Sequence, residues 1–119
     1  MKELTPPFKK TAYSVDLNIA YRVAKETGCK LIAAQDQFVA ARVVGDGVRL
    51  VLYPHKTTAF NYHLRVRDEG SKDPVRALAV ADALDSAAGL NCTFQMKGDA
   101  RSALVKRVNE SEPRSKERQ

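Results

Sequence analysis

Two histidines flank the segment KTTAFNY and are the residues in this chain best suited to acid–base chemistry. His55 and His63 stand at its two ends, with Lys56 beside the first. Because imidazole exchanges protons near neutral pH, such a pair could act as general base and general acid in a metal-independent ribonuclease. Histidines beside a basic hairpin serve more often as phosphate or solvent contacts. We therefore predict a non-catalytic protein and keep the ribonuclease as the alternative.

No other group of residues predicts a reaction or a cofactor. The sequence has no G-x-S-x-G, no phosphate-binding glycine loop and no H-E-x-x-H. Its two cysteines, Cys29 and Cys92, are far apart and outside any C-x-x-C spacing, so they predict neither a disulfide framework nor a zinc site. We expect Cys92 to be a small inward-facing thiol, and we expect no metal and no cofactor.

The charge balance predicts an anionic partner. Twenty Lys and Arg residues against 14 Asp and Glu residues give a formal net charge of +6. Such a surplus favours nucleic acid first, then acidic proteins or anionic lipid. No apolar run approaches the roughly 20 residues that a membrane-spanning helix needs, and the N-terminal MKELTPPFKK lacks the apolar stretch of a secretory signal. We therefore expect a cytoplasmic, reducing location and no membrane partner.

Residues 12–110 show a pattern of helices and strands that predicts a single α+β domain, and this domain contains the residues that could bind an anion. An extended arm over 1–11 contains Pro6 and Pro7, and the charged residues 111–119 predict a disordered tail. The predicted order is α-β-β-β-β-α-β-α. It corresponds to a four- to five-stranded, mainly antiparallel sheet with the helices packed on one face.

Capping residues, turn residues and periodicity place the elements along the chain. Ser14 and the stripe Val15, Ile19 and Val23 predict a first helix. Asp46-Gly47 between β-branched runs predicts a hairpin, and Asp73-Pro74 predicts the cap and first turn of an alanine-rich helix. The predicted strands span 30–34, 38–44, 48–54, 62–68 and 91–97, and a short last helix follows Asp99.

Alternation along the strands separates an apolar face from a cationic one, since successive strand residues point to opposite sides. Leu50, Leu52, Leu64 and Val66 share the inward parity. The outward set contains no acidic residue and carries Arg42, Arg49, Tyr53, His55, His63, Arg65, Arg67 and Lys97.

An exposed sheet face with arginines and an aromatic ring suits single-stranded nucleic acid. Arginines neutralise phosphates, and a base can stack on Tyr53 or on Phe60 in the neighbouring loop, beside Lys56. We predict nucleic-acid binding, with RNA favoured over DNA. One alternative is that both rings pack on the core and leave solvated arginines. The other is a protein-interaction module: an adaptor or inhibitor binding an acidic protein, or an edge-to-edge homodimer.

A second basic zone lies at the start of the alanine-rich helix, in the sequence EGSKDPVR. A helix, several antiparallel strands and then G-S-K opening an alanine-rich helix resembles the double-stranded RNA-binding domains. In that family lysines at this helix start contact phosphates, so the resemblance implies that Lys72 and Arg76 do so here. This chain departs from the family pattern in an extra strand and in Asp73-Pro74, which replaces a second lysine.

Overall fold

The computed structural model describes residues 2–8, 14–34, 38–56, 62–88 and 94–111, with backbone alone at Lys56 and Tyr62. This part of the chain confirms the α+β prediction, with an antiparallel sheet and helices in the order α-β-β-β-β-α-α. Its elements are α1 (Ser14–Glu26), β1 (Lys30–Ala33), β2 (Ala41–Gly45), β3 (Val48–Lys56), β4 (Tyr62–Asp68), α2 (Pro74–Ala88) and α3 (Gly98–Ser111). Ser111, predicted as the start of the tail, ends α3, and the rest of the predicted tail lies outside the described residues.

The strands lie side by side in the order in which they occur along the chain, β1-β2-β3-β4, and each pair is antiparallel. The predicted turn at Asp46-Gly47 joins β2 to β3, and Gly47 has a φ of 78°. A Cβ at Gly47 would lie 2.8 Å from the Cβ of Asp73. Glycine is therefore required here both by the positive φ and by the close approach of the loop before α2.

The core lies between the helices and one face of the sheet. The predicted inward residues Leu50, Leu52, Leu64 and Val66 are all 1% exposed or less. One stripe of α2 is also buried, and its small side chains let the helix lie close to the sheet; it comprises Ala77, Val80, Ala81, Leu84 and Ala88. Burying a large aliphatic side chain contributes about 1.5–3 kcal/mol, so this face supplies most of the stabilisation.

The rotation of α1 about its axis differs from the prediction. Val15, which the sequence places in the apolar stripe, is 67% exposed, whereas Asp16 and Leu17 are buried. The carboxylate of Asp16 accepts a hydrogen bond of 2.9 Å from the N–H of Leu64 in β4. That long-range contact turns Asp16 towards the sheet and leaves the preceding residue on the solvent side.

The predicted fifth strand does not form over its described residues, 94–97. Phe94 has a φ of 59°, outside the strand region, although its ring is fully buried. Its N–H donates to the carbonyl oxygen of Leu64 at 2.6 Å. Lys97 consequently lies off the sheet, and its carbonyl accepts the N–H of Arg101 as α3 begins. Cys92 lies outside the described residues.

Parts of the chain cover both edges of the sheet. On β4, Leu64 donates to Asp16 and accepts from Phe94. On β1, the described part of the N-terminal arm adds an isolated bridge from Glu3 to Ile32, flanked by backbone hydrogen bonds with Leu31 and Ala33. Exposed strand edges invite pairing with other chains, so these contacts protect the sheet.

Candidate nucleic-acid interface

The sheet face opposite the helices collects most of the residues that alternation predicts to point outward. Arg42 lies opposite Val51, which lies opposite Arg67 in the next strand. Tyr53 lies opposite Arg65, and the register continues to the two histidines. We call this surface the basic face and define it by Arg42, Arg49, Tyr53, His55, His63, Arg65, Arg67 and Glu69. Lys97 is excluded because it precedes α3, away from the sheet.

Tyr53 belongs to the basic face and not to the core. Its ring is partly exposed, and the guanidinium carbon of Arg67 lies 5.4 Å from the ring centroid. A cation at this distance over a tyrosine ring is attracted by the electron-rich ring face. The alternative in which Tyr53 folds back onto the core is therefore wrong. Phe60, the other predicted stacking residue, lies outside the described residues.

One carboxylate interrupts the cationic surface, so the prediction of a face without acidic residues is wrong. Glu69 accepts hydrogen bonds from Arg42, at 2.8 and 3.3 Å, and from Arg49, at 2.8 Å. The bond from Arg42, aided by Arg49, holds the pKa of Glu69 below its ordinary value of 4.5 against the opposing effect of burial. The signal was present: extending the alternation of Arg65 and Arg67 by one step reaches Glu69.

Arg65 and Arg67 keep their charge available. Neither guanidinium makes a hydrogen bond or ion pair with another described residue, and Arg67 contacts the ring of Tyr53. Arg42 and Arg49 share Glu69 between them. In the described part of the chain, the basic face therefore holds four arginines against one carboxylate.

A small apolar floor supports these side chains. Val51 is completely buried and Ile32 is 6% exposed, although both point away from the helices. They lie in one cross-strand row with Arg42 and Arg67. Aliphatic stems of arginines cover apolar surface while the charged heads remain in water. Arg42 and Arg67 share this row, so their stems are the ones placed to cover Ile32 and Val51.

His55 and His63 lie directly opposite each other on β3 and β4. The Nδ1 atom of His63 is buried and makes no hydrogen bond within the described part of the chain. Its nearest carboxylate oxygen, Oδ2 of Asp16, is 3.8 Å away, which exceeds hydrogen-bond length. Two adjacent imidazoles can contact a phosphate together or exchange protons with it, so the register is compatible with both predicted roles.

The second basic zone divides into one structural and one exposed cation. Arg76 is partly buried, and its guanidinium donates to the carbonyls of Asp46 and Thr27 at 3.1 and 3.0 Å. It thereby joins α2 to the β2–β3 turn and to the residue that follows α1. Asp73 caps α2 as predicted, since its carboxylate accepts the N–H of Arg76. Lys72 is exposed and makes no hydrogen bond or ion pair with a described residue.

Lys72 and Arg49 line one surface pocket of about 250 Å³. Arg49 belongs to the basic face, so the two basic zones that the sequence separates come together at this end of the sheet. Lys56 lies in β3, but the position of its side chain is not described. The exposed Lys97 lies away from both zones.

The described residues contain neither a membrane-spanning helix nor a group of metal-binding side chains. Among the described helices, none combines the length and apolar character needed to cross a membrane. The described His, Cys, Asp and Glu residues form no group of three that could hold a metal ion. Comparisons of this chain with protein-family models, curated proteins and solved structures found no match.

Proposed function

We propose that this protein binds nucleic acid, RNA in preference to DNA, through the basic face. The observation that carries the proposal is the placement of four arginines with one carboxylate on a sheet surface that the described helices leave open. A surplus of cations on a surface of the sheet suits a polyanion. The net charge of +6 over the whole chain acts in the same direction at longer range.

Arg65 and Arg67 are the principal phosphate contacts in this proposal. They are on one face of β4 with a single residue between them, which separates their Cα atoms by roughly 6–7 Å. Two guanidinium groups at this spacing can contact different phosphates of one strand. Each phosphate neutralised releases counterions, so affinity for a single strand falls with salt by a slope of about 0.7 per contact.

Tyr53 supplies the aromatic surface beside these cations. Arg67 covers its ring in the free protein. On binding, a base can stack on the guanidinium plane, or Arg67 can move to a phosphate and leave the ring to the base. Stacking on an aromatic side chain contributes about 1–3 kcal/mol per base. Because stacking is tolerant of sequence, we expect weak sequence preference.

The test is the double variant Arg65→Ala/Arg67→Ala, with binding to labelled single-stranded RNA and DNA measured over a salt series. We expect affinity to fall about tenfold or more at 0.1 M salt, and the salt slope to fall by about 1.4. The matched control Arg22→Ala/Lys106→Ala removes two exposed helical cations and should bind as wild type does. Circular dichroism should show both variants folded.

Three outcomes would contradict the proposal. If the Arg65/Arg67 variant binds as tightly as wild type, the basic face is not the binding surface. If wild type binds no nucleic acid in low salt but captures an acidic protein, the chain is an interaction module. If RNA is shortened during the assay and His63→Ala stops it, the protein is a metal-independent ribonuclease.

A further inference from the structure

We infer that the pocket beside Arg49 and Lys72 binds a phosphate monoester, the terminal phosphate of the strand held on the basic face. This inference rests on the proposed function and specifies what the face recognises: an end, and not only the interior, of a nucleic-acid strand. The pocket, named here the end pocket, has a volume of about 250 Å³. Its lining includes Val44, Gly45, Gly47, Arg49, Gly70 and Lys72.

The end pocket continues the basic face. Arg49 is on β3, next but one to Val51, and Val51 lies opposite Arg67. The cations Arg65, Arg67, Arg49 and Lys72 therefore follow one another from the middle of β4 towards the β2–β3 turn. A strand whose phosphates contact the first two arginines is directed by this sequence of charges into the pocket.

Both cations of the end pocket have donors available. Arg49 uses Nε to bind Glu69, and its terminal amino groups make no hydrogen bond with a described residue. Lys72 is exposed and likewise without such a bond. The Oγ of Ser71 accepts the N–H of Arg49 at 2.8 Å and donates to its carbonyl. Ser71 thus ties the loop that carries Lys72 to the strand that carries Arg49.

Hydrogen bonds hold in place the β2–β3 turn, whose residue Gly47 lines the end pocket. The N–H of Asp73 donates to the carbonyl of Gly47 at 2.9 Å, and Arg76 donates to the carbonyl of Asp46. These bonds join the β2–β3 turn to the loop before α2. The exposed residues Asp46 and Asp73 adjoin Gly47, the first in sequence and the second through its N–H hydrogen bond. A phosphodiester chain that continued past the pocket towards this turn would therefore approach two like charges, whereas a strand that ends in the pocket would not.

The charge of the ligand also favours an end. A phosphodiester within a strand carries one negative charge, whereas a phosphate monoester carries about −1.5 to −2 at neutral pH because its second pKa is about 6. Two cations with free donors match the larger charge. The preference for a phosphorylated end should therefore weaken as the pH falls below about 6.

The experiment compares short oligonucleotides of one sequence that carry a 5′-phosphate, a 3′-phosphate or hydroxyls at both ends. We expect wild type to bind one phosphorylated form about fivefold more tightly than the hydroxyl form. Lys72→Ala should remove this difference while still binding the hydroxyl form, and Lys72→Arg should keep it. Lys97→Ala, which removes an exposed lysine away from the pocket, should also keep it.

The outcomes separate the two proposals. Equal affinity of wild type for all three oligonucleotides overturns the end pocket and leaves binding by the basic face intact. Binding of none of them in low salt overturns both. If a free nucleoside monophosphate binds as tightly as the phosphorylated oligonucleotide, the pocket is a nucleotide site and the assignment to strand ends is wrong.

Discussion

Arginines on the two sides of this protein have different surroundings. On the helix side, Arg101 of α3 pairs with Asp82 of α2 at 2.6 Å, and Arg107 pairs with Asp68 at 2.9 Å. On the basic face, Arg42 and Arg49 share one carboxylate, while Arg65 and Arg67 pair with none among the described residues. The same residue type thus connects elements on one side and presents unmatched charge on the other.

The difference shows where charge serves the fold and where it is available for binding. Arg107 also donates to the carbonyl of Ser71, so it holds α3 against the loop before α2. The neighbouring carboxylate of Asp82 raises the pKa of the Arg101 guanidinium, which stays charged at any working pH. Removing a helix-side residue should change stability and spare binding, and removing a basic-face residue should do the reverse.

The largest effect is expected from Phe94→Ala on the helix side. The ring is completely buried, and truncating such a side chain costs about 3–5 kcal/mol of unfolding free energy. Urea denaturation measures the loss. Phe38→Ala is the matched control: this ring is 72% exposed, so we expect a change of about 0.5 kcal/mol or less. Equal losses in the two variants would contradict the position of Phe94 in the core.

Asp16→Ala should come second, with a loss of about 1–3 kcal/mol. The substitution removes the buried carboxylate that accepts the Leu64 N–H, and the loss of a buried hydrogen bond to a charged group has this magnitude. Urea denaturation gives the size, and faster hydrogen exchange at the Leu64 amide gives the location. Asp85→Ala, at an exposed position on α2, is the control and should be close to neutral. An unchanged Leu64 amide would show that the bond contributes nothing.

Glu69→Gln should reduce stability by less than about 1 kcal/mol and strengthen binding. The ion pairs of Glu69 are partly exposed and therefore screened by solvent. The substitution removes the carboxylate of the basic face, so affinity for single-stranded RNA should rise about threefold or more at low salt. Asp85→Gln removes a carboxylate on the other side of the protein. If both variants gain the same affinity for RNA, net charge alone determines binding and the position of the carboxylate does not.

The stability lost in Glu69→Gln should depend on pH in one direction. Because the pKa of Glu69 is lowered in the folded state, its contribution to stability is present above the unfolded value of about 4.5. That contribution is lost as the pH falls through the lower folded value. The stability difference between wild type and Glu69→Gln should therefore shrink below about pH 4.5. A constant difference down to pH 3 would contradict this origin.

Arg101→Ala should have the smallest effect. Both members of its pair with Asp82 are about half exposed, and such surface pairs contribute about 0–1 kcal/mol. RNA affinity should stay within about twofold of wild type, although the variant loses the same charge as Arg65→Ala. A loss of affinity similar to that of Arg65→Ala would remove the distinction between the two sides.

Much of the fold can be predicted from local patterns, because those patterns reflect local physics. Alternation locates β3 and β4. Asp46-Gly47 marks the hairpin that joins β2 to β3, and Asp73 marks the start of α2. The predictions of local structure fail where a contact with a residue distant in sequence determines the conformation. Asp16 is buried because it meets Leu64 in β4, and Phe94 leaves the strand conformation at a contact with that same residue. No local pattern contains either pairing.

The alternation of residues along the strands predicts which side chains form the basic face, but it does not predict the carboxylate among them. Alternation along the strands correctly places the four arginines on one face. It fails for Lys97, because the fifth strand predicted to contain Lys97 does not form over its described residues. Glu69 lies one residue past the end of β4, so the alternation counted within the strand does not include it, although its N–H still donates to the carbonyl of Arg49. The end pocket depends on Ser71, whose hydrogen bonds to β3 are invisible in the sequence.

The protection of the β4 edge has a consequence for how the chain folds as it is synthesised. Leu64 meets Asp16, which precedes it by 48 residues, and Phe94, which follows it. A nascent chain that has emerged only as far as β4 can already make the first contact but not the second. Its last strand therefore lacks the hydrogen bond from Phe94 until Phe94 leaves the ribosome. The interval between the emergence of β4 and that of Phe94 is the period in which a second chain could pair with this edge.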